Sequence, residues 1–277
     1  MKQQRGRLAI ADCLQGLRER NEKALVLFVT AGYPQLNATT DIILAAEEGG
    51  ADIIELGMPF SDPLADGPVI QECSATAIRN GMTLIRTLEA VAALRKRSSI
   101  PLVLMGYINP IIQYGIRQFL LEASEAGVDG IILPEVPLEE QRLVSDDITR
   151  VNLANILLVA PTSSEERIEA IDKVCTGFLY CVSSTAVTGN SVKGSQQDYV
   201  RRVKSIVQNN SVFTGFGIQT PEQAKVFADA CDGVIIGSAF LRHLKADSSR
   251  EGIVTWVQWM KSSLRSNQRK AETNKSK

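Results

Sequence analysis

GGADIIELG, residues 49–57, reads as a helix end, a small residue, an aspartate and then a buried strand, and the same phrase returns as AGVDGIILP at 126–134 and ADACDGVIIG at 228–237. A phrase recurring at these distances marks a repeated β/α unit. Outward from it, short aliphatic and β-branched runs occupy 24–32, 51–60, 100–107, 128–136, 154–161, 177–184, 211–218 and 232–240, eight in all. Segments of helical period lie between them, among them LNATTDIILAAEEGG at 36–50 and GIRQFLLEASEAG at 115–127. Ser163 with Glu166 and Thr220 with Gln223 have capping-box spacing, and Pro221 suits a first helical position.

The strand runs are continuously apolar, which implies burial on both faces, as in a parallel sheet. Eight β/α units fit a single-domain α/β fold of the closed (β/α)8 TIM-barrel type over residues 1–265, with the polar stretch 266–277 as a solvated tail. An open doubly wound sheet would carry a nucleotide-binding glycine turn after its first strand, and none is present.

Composition narrows the partners. With 30 Lys+Arg against 31 Asp+Glu the formal charge is −1, so no global field recruits nucleic acid or an anionic membrane. Cys13, Cys73, Cys175, Cys181 and Cys231 are scattered without CxxC spacing, which suits buried thiols in a reducing compartment. No apolar run has the length of a signal peptide or a membrane span. The single histidine, His243 in LRHLK, reads as a surface helix residue, so neither a histidine-rich metal site nor a Ser/His/Asp triad is expected.

In a barrel of this kind the loops after the strands carry the chemistry. Glu55 ends the second run, where partial dehydration raises a carboxyl pKa toward the range of proton transfer. Asp66, in the following loop, is placed to accept a hydrogen bond from substrate, and Asp62 between Ser61 and Pro63 reads as a turn former or partner contact. TGFGIQ (214–219) and IIGSAF (235–240) end the last two runs in glycines followed by helical sequence, which makes Gly217, Gly237 and Ser238 phosphate candidates. The sixth loop, STAVTGNSVKGS (184–195), adds Gly189 and has the composition of a mobile lid. Phe28, Ile70, Tyr107, Tyr180 and Phe216 are candidates either for an apolar pocket taking a flat substrate or for barrel filling.

ELGMPFSDPLADGPVIQ (55–71) closely resembles the signature of the tryptophan synthase α subunit, and the likeness continues through FVTAGYP (28–34), NPIIQYG (109–115), VAPTS (159–163), AVTG (186–189), GFGIQTPEQ (215–223) and GSAF (237–240). The resemblance implies a (β/α)8 barrel that cleaves indole-3-glycerol phosphate to indole and glyceraldehyde 3-phosphate without a cofactor of its own. It makes Glu55 the acid/base catalyst and Asp66 the partner of the indole N–H. Phe28, Ile70, Tyr107, Tyr180 and Phe216 would surround the indole, Thr188 would also bind substrate, and Gly189, Gly217, Gly237 and Ser238 would take the phosphate. It also implies a β subunit that uses pyridoxal phosphate, assembled with this chain as α2β2 and touching the second-strand loop at Pro59 and Asp62. The compartment implied is the cytoplasm, or the plastid stroma for a plastid-encoded chain. The chain departs from the family's pattern at Ser184, Ala186 and Glu135, where Arg, Gly and Asp respectively are common. Two other readings stay open: an α-like binding or activating subunit with weak lyase activity, and another phosphosugar barrel enzyme such as an isomerase.

Overall fold

The aspartate of the repeated phrase has one job at all three places. Asp52 Oδ2 accepts the N–H of Leu25 at 2.7 Å, Asp129 Oδ2 that of Leu102 at 3.0 Å and Asp232 Oδ2 that of Val212 at 2.8 Å. Each carboxylate thus ties the start of its own strand to the start of the preceding one. Each also meets a cation: Lys261 at 2.6 Å from Asp52, Arg95 at 2.7 Å from Asp129, and Lys204 beside Asp232. At the fourth such junction Thr176 substitutes, its Oγ1 accepting the N–H of Asn155 at 2.8 Å.

The computed structural model describes residues 5–182, 196–215 and 217–265. Its strands are β1 (Ala24–Thr30), β2 (Ile53–Gly57), β3 (Leu102–Met105), β4 (Gly130–Ile132), β5 (Ala154–Ile156), β6 (Leu158–Val159), β7 (Phe178–Cys181), β8 (Ser211–Thr214) and β9 (Gly233–Ile236). The helices that bear on the site and its support are α1 (Arg7–Glu19), α2 (Thr39–Gly49), α3 (Pro68–Arg79), α4 (Leu84–Leu94) and α5 (Ile108–Tyr114). After them come α6 (Ile116–Ala126), α7 (Ser145–Arg150), α8 (Glu165–Val174), α9 (Gln196–Ile206), α10 (Pro221–Ala228), α11 (Ser238–Ala246) and α12 (Arg250–Lys261). All strand pairs are parallel, in the order β5-β4-β3-β2-β1-β9-β8-β7-β6. The eight expected runs give nine strands because the run 154–161 is interrupted at Leu157. Its first part pairs with β4 and its second with β7, so this one run joins the two ends of the sheet into a (β/α)8 barrel.

Period-two alternation divides the strand residues between two cores. Ala24, Val26, Ile53, Val103, Ile132, Ala154, Ile156, Phe178, Phe213 and Ile235 fill the barrel, where Phe178 and Phe213 stack at 4.3 Å. Leu25, Leu27, Ile54, Leu56, Leu102, Leu104, Leu179, Val212 and Val234 face outward into the helix layer. Helix α1 closes the barrel floor by adding Ile10, Leu14 and Leu17 to the inner core.

Thr220 caps α10 as expected, accepting the N–H of Gln223 at 3.4 Å, and the Gln223 side chain accepts from the N–H of Gln219. The box expected at Ser163 and Glu166 is displaced by one residue. Ser164 caps α8 by accepting the N–H of Arg167, while Ser163 Oγ accepts that of Ala160. His243 does lie on α11, but it is half-buried and stacked on Trp256 at 5.6 Å rather than free on the surface. The five cysteines are free thiols, four of them buried. No helix among the described residues is long and apolar enough to cross a membrane.

Candidate active site

The strand register that fills the barrel with aliphatic residues also builds the site. Ile53 points inward, so Glu55, two residues on, does the same, and it lies in register between Phe28 on β1 and Val103 on β3. The next inward layer comprises Phe28, Glu55, Met105, Leu158, Tyr180, Gly215 and Gly237, and all of them line one cavity of about 410 Å³ at the C-terminal mouth of the barrel. Ala65, Asp66 and Gly67 from the β2–α3 loop, Ile70 on α3, Gly217 to Gln219, and Ser238, Ala239 and Arg242 of α11 complete most of its wall.

Glu55 is 1% exposed, and its Oε2 is buried with no hydrogen-bond partner among the described residues. Buried polar atoms are usually paired, and an orphan in a cavity wall is a group kept available for a ligand. Of the buried polar side-chain atoms without such a partner, Glu55 Oε2 alone belongs to a residue lining this cavity. Desolvation, reinforced by the charge of Asp66, pushes the Glu55 carboxyl up from 4.5 to about 8.

Asp66 sits in the turn that follows Pro63, whose carbonyl accepts the Asp66 N–H at 3.1 Å. Burial raises its carboxyl to about 6, against the hydrogen bond from Tyr107, while the charge of Glu135 adds to the rise. Two neighbouring carboxyls are therefore driven to different values, which is the condition for one to act as an acid and the other as an anion near neutral pH.

Of the expected indole contacts, Phe28, Ile70 and Tyr180 line the cavity. Tyr107 stands behind it: its hydroxyl donates to Asp66 Oδ2 at 3.2 Å and accepts the N–H of Ala65 at 2.9 Å, and its ring packs on Phe60. Of the expected phosphate ligands, Gly217, Gly237 and Ser238 line the cavity. Gly217 has φ +62 and open space where a Cβ would stand. Gly237 is the N-cap of α11 and offers no side chain to the first-turn N–H groups, which remain for a ligand. Thr188, Gly189 and Phe216, together with Ser184 and Ala186 of the expected lid, lie outside the described residues.

Sequence reading missed Met105, Leu158, Gly215 and Arg242. Parity would have found the first three, since they follow inward-facing Val103, Ile156 and Phe213 by two residues. Arg242 is four residues after Ser238 on the same helix face. Gly215 is needed for close approach, because a Cβ there would come within 2.6 Å of the Tyr180 hydroxyl.

A parallel (β/α)8 barrel whose mouth joins two perturbed carboxyls, an apolar wall and an open helix N-terminus defines a barrel enzyme of the acid–base kind, suited to a substrate part flat and part anionic. The chain belongs to the tryptophan synthase alpha chain family, whose model matches residues 14–269. A tryptophan synthase alpha chain of Petrotoga mobilis is 45% identical over 235 residues, covering 84% of this chain and 91% of that protein. The tryptophan synthase subunit alpha of Legionella pneumophila superposes with a TM-score of 0.84 at 33% identity, covering 92% of this chain and 98% of that one. A Mycobacterium tuberculosis tryptophan synthase structure gives a TM-score of 0.86 at 32% identity, covering 95% of this chain and 100% of the matched chain.

Proposed function

We propose that this chain cleaves indole-3-glycerol phosphate to indole and glyceraldehyde 3-phosphate, with Glu55 shuttling the proton and Asp66 holding the indole N–H. The observation that carries the reading is Glu55 itself, a buried carboxyl with an unpartnered oxygen and a pKa near 8 in the cavity wall. At neutral pH it enters the reaction protonated. It gives its proton to the ring carbon that bears the glycerol chain, which leaves positive charge on the ring nitrogen. Asp66, ionised above about 6, accepts the N–H and stabilises that charge. The Glu55 carboxylate then takes the proton of the adjacent side-chain hydroxyl. The oxygen lone pair forms the aldehyde, the C–C bond breaks, and its electrons restore the aromatic ring. Glu55 ends as it began, so its single carboxyl balances both proton transfers.

The phosphate would bind at the N-terminus of α11 beside Ser238 and Gly217, and the indole against Phe28, Ile70 and Tyr180. Residues 1–265 serve as one catalytic unit, working in the cytoplasm as the α partner in an α2β2 complex. Pyridoxal phosphate belongs to the β subunit. The β2–α3 loop suits that contact: Leu64 is 89% exposed, Ser61 hydrogen-bonds Asp62, and the Leu64 N–H is held by the Asp62 carbonyl at 2.9 Å. Indole release from indole-3-glycerol phosphate, measured with and without a β subunit, tests the reading. Cleavage by the isolated chain that accelerates in the complex is expected. No cleavage under either condition would overturn it.

A further inference from the structure

The cavity is lined by charges of both signs. Glu55 and Asp66 line one part of it, and Arg242 is the one Lys or Arg among its described lining residues. Arg242 is exposed and makes no hydrogen bond or ion pair with any described residue, whereas its neighbour Lys245 is paired to Glu72 at 2.6 Å. A helical side chain leans back toward the N-terminus, over the turn before it. Arg242 is one turn after Ser238, so its guanidinium is carried toward the open first turn of α11 and the cavity.

We infer that Arg242 is a specificity-determining residue for the anionic end of the substrate: it draws a phosphate monoester to the α11 N-terminus and discriminates against the same molecule without phosphate. The inference rests on the lyase reading and adds a side-chain charge to a subsite otherwise built from glycines and one serine. Two physical effects combine. A guanidinium offers charge-assisted hydrogen bonds that backbone N–H groups alone do not match. Its charge also offsets the repulsion between a phosphate dianion and Asp66 in the same cavity. Because Arg242 is solvent-exposed, and the reading gives both proton transfers to Glu55, it serves binding and orientation rather than the chemical step.

The test is steady-state cleavage of indole-3-glycerol phosphate and of indoleglycerol by the parent, Arg242→Gln and Arg242→Lys, at low and high salt. For the phosphorylated substrate, Arg242→Gln is expected to raise KM about tenfold, the scale of one charged hydrogen bond, with kcat within about twofold. The variant should also lose most of the parent's salt dependence of kcat/KM, and Arg242→Lys should restore part of it. Cleavage of indoleglycerol should be the same in all three proteins. Equal losses on both substrates would make Arg242 a structural residue and overturn the inference, as would an unchanged KM and salt response in Arg242→Gln. In either case parent activity leaves the lyase reading standing. A parent that released no indole would overturn that reading and the inference with it.

Discussion

The Tyr107 hydroxyl donates to Asp66 Oδ2 at 3.2 Å while accepting the N–H of the adjacent Ala65 at 2.9 Å. One phenol therefore holds both the carboxylate and the backbone of the loop that carries it. Tyr107 is itself fixed, as N-cap of α5 and by its ring contact with Phe60. Asp66 thus has a rigid address although it lies on an exposed loop.

Tyr107→Phe removes the one described hydrogen bond that holds the Asp66 carboxyl down. A donor to a carboxylate favours its charged form, so losing it moves the Asp66 pKa upward from about 6. The acid limb of the kcat/KM profile should shift to higher pH, with a loss of about tenfold at neutral pH from the freed loop. Measured profiles of parent and variant decide this. A limb that stays in place would separate Asp66 from the ionisation it reports.

Glu55→Gln should lower kcat by about 10² to 10⁴, the usual worth of a positioned acid–base group, with KM changed only several-fold. The parent profile should be bell-shaped, rising as Asp66 ionises near 6 and falling as Glu55 loses its proton near 8. These values belong to the interacting pair. Stability should move the other way. The Glu55 pKa is raised in the fold, so the associated stability is complete below about 4.5 and is lost as pH rises through about 8. The glutamine variant lacks that loss and should melt higher than the parent, by a margin that grows over this interval. Thermal melts at pH 5 and pH 9 that differ equally in both proteins would contradict it.

Most of the barrel was legible because buried parallel strands are apolar throughout and the repeated Asp-strand phrase recurs in sequence. Two features were not. The run 154–161 reads as one strand, yet it must pair with β4 at one end and β7 at the other, and the break at Leu157 follows from closure rather than local preference. Helix α1 looks like an ordinary amphipathic segment until the barrel floor needs Ile10, Leu14 and Leu17. In the site, Glu55 and Asp66 stood out because acids at a strand end and in the loop after it are chemically conspicuous. Tyr107 was misplaced because its ring suggested a pocket wall, whereas its hydroxyl determines its position behind Asp66. Met105 and Leu158 were hidden by looking like core, which for the layer beneath them they are.

Ser238→Asp places a carboxylate at the first residue of α11, where a phosphate would otherwise meet the unsatisfied N–H groups. An aspartate is a good first-turn residue, so the fold should tolerate it. The mutant should show KM for indole-3-glycerol phosphate raised by about tenfold or more, with a smaller change in kcat. Glycerol phosphate should inhibit the parent competitively and the variant weakly. An unaltered KM would move the phosphate away from α11.

Asp129 offers the sharpest test of how the repeated phrase supports the barrel. Its carboxylate is fully buried and accepts from Gly6 N at 2.8 Å, Leu102 N at 3.0 Å and Arg95 at 2.7 Å. Asp129→Ala would strand two backbone donors and take the carboxylate from a guanidinium that is only 9% exposed, leaving it the Gly127 and Ile100 carbonyls. Breaking a buried pair from one side costs about 3–5 kcal/mol, because the remaining charge has no water to return to. Asp232 makes the same strand-to-strand tie, but its partner Lys204 is 42% exposed and can rehydrate. Asp232→Ala should therefore cost about 1–2 kcal/mol, chiefly the orphaned Val212 N–H. Both residues precede their strands, at the opposite end of the barrel from the cavity, so folded protein of either variant should keep its kcat. Urea midpoints compared at constant slope give the two costs. Equal losses would mean that the strand tie alone matters and that the burial of the cation at Asp129 contributes nothing.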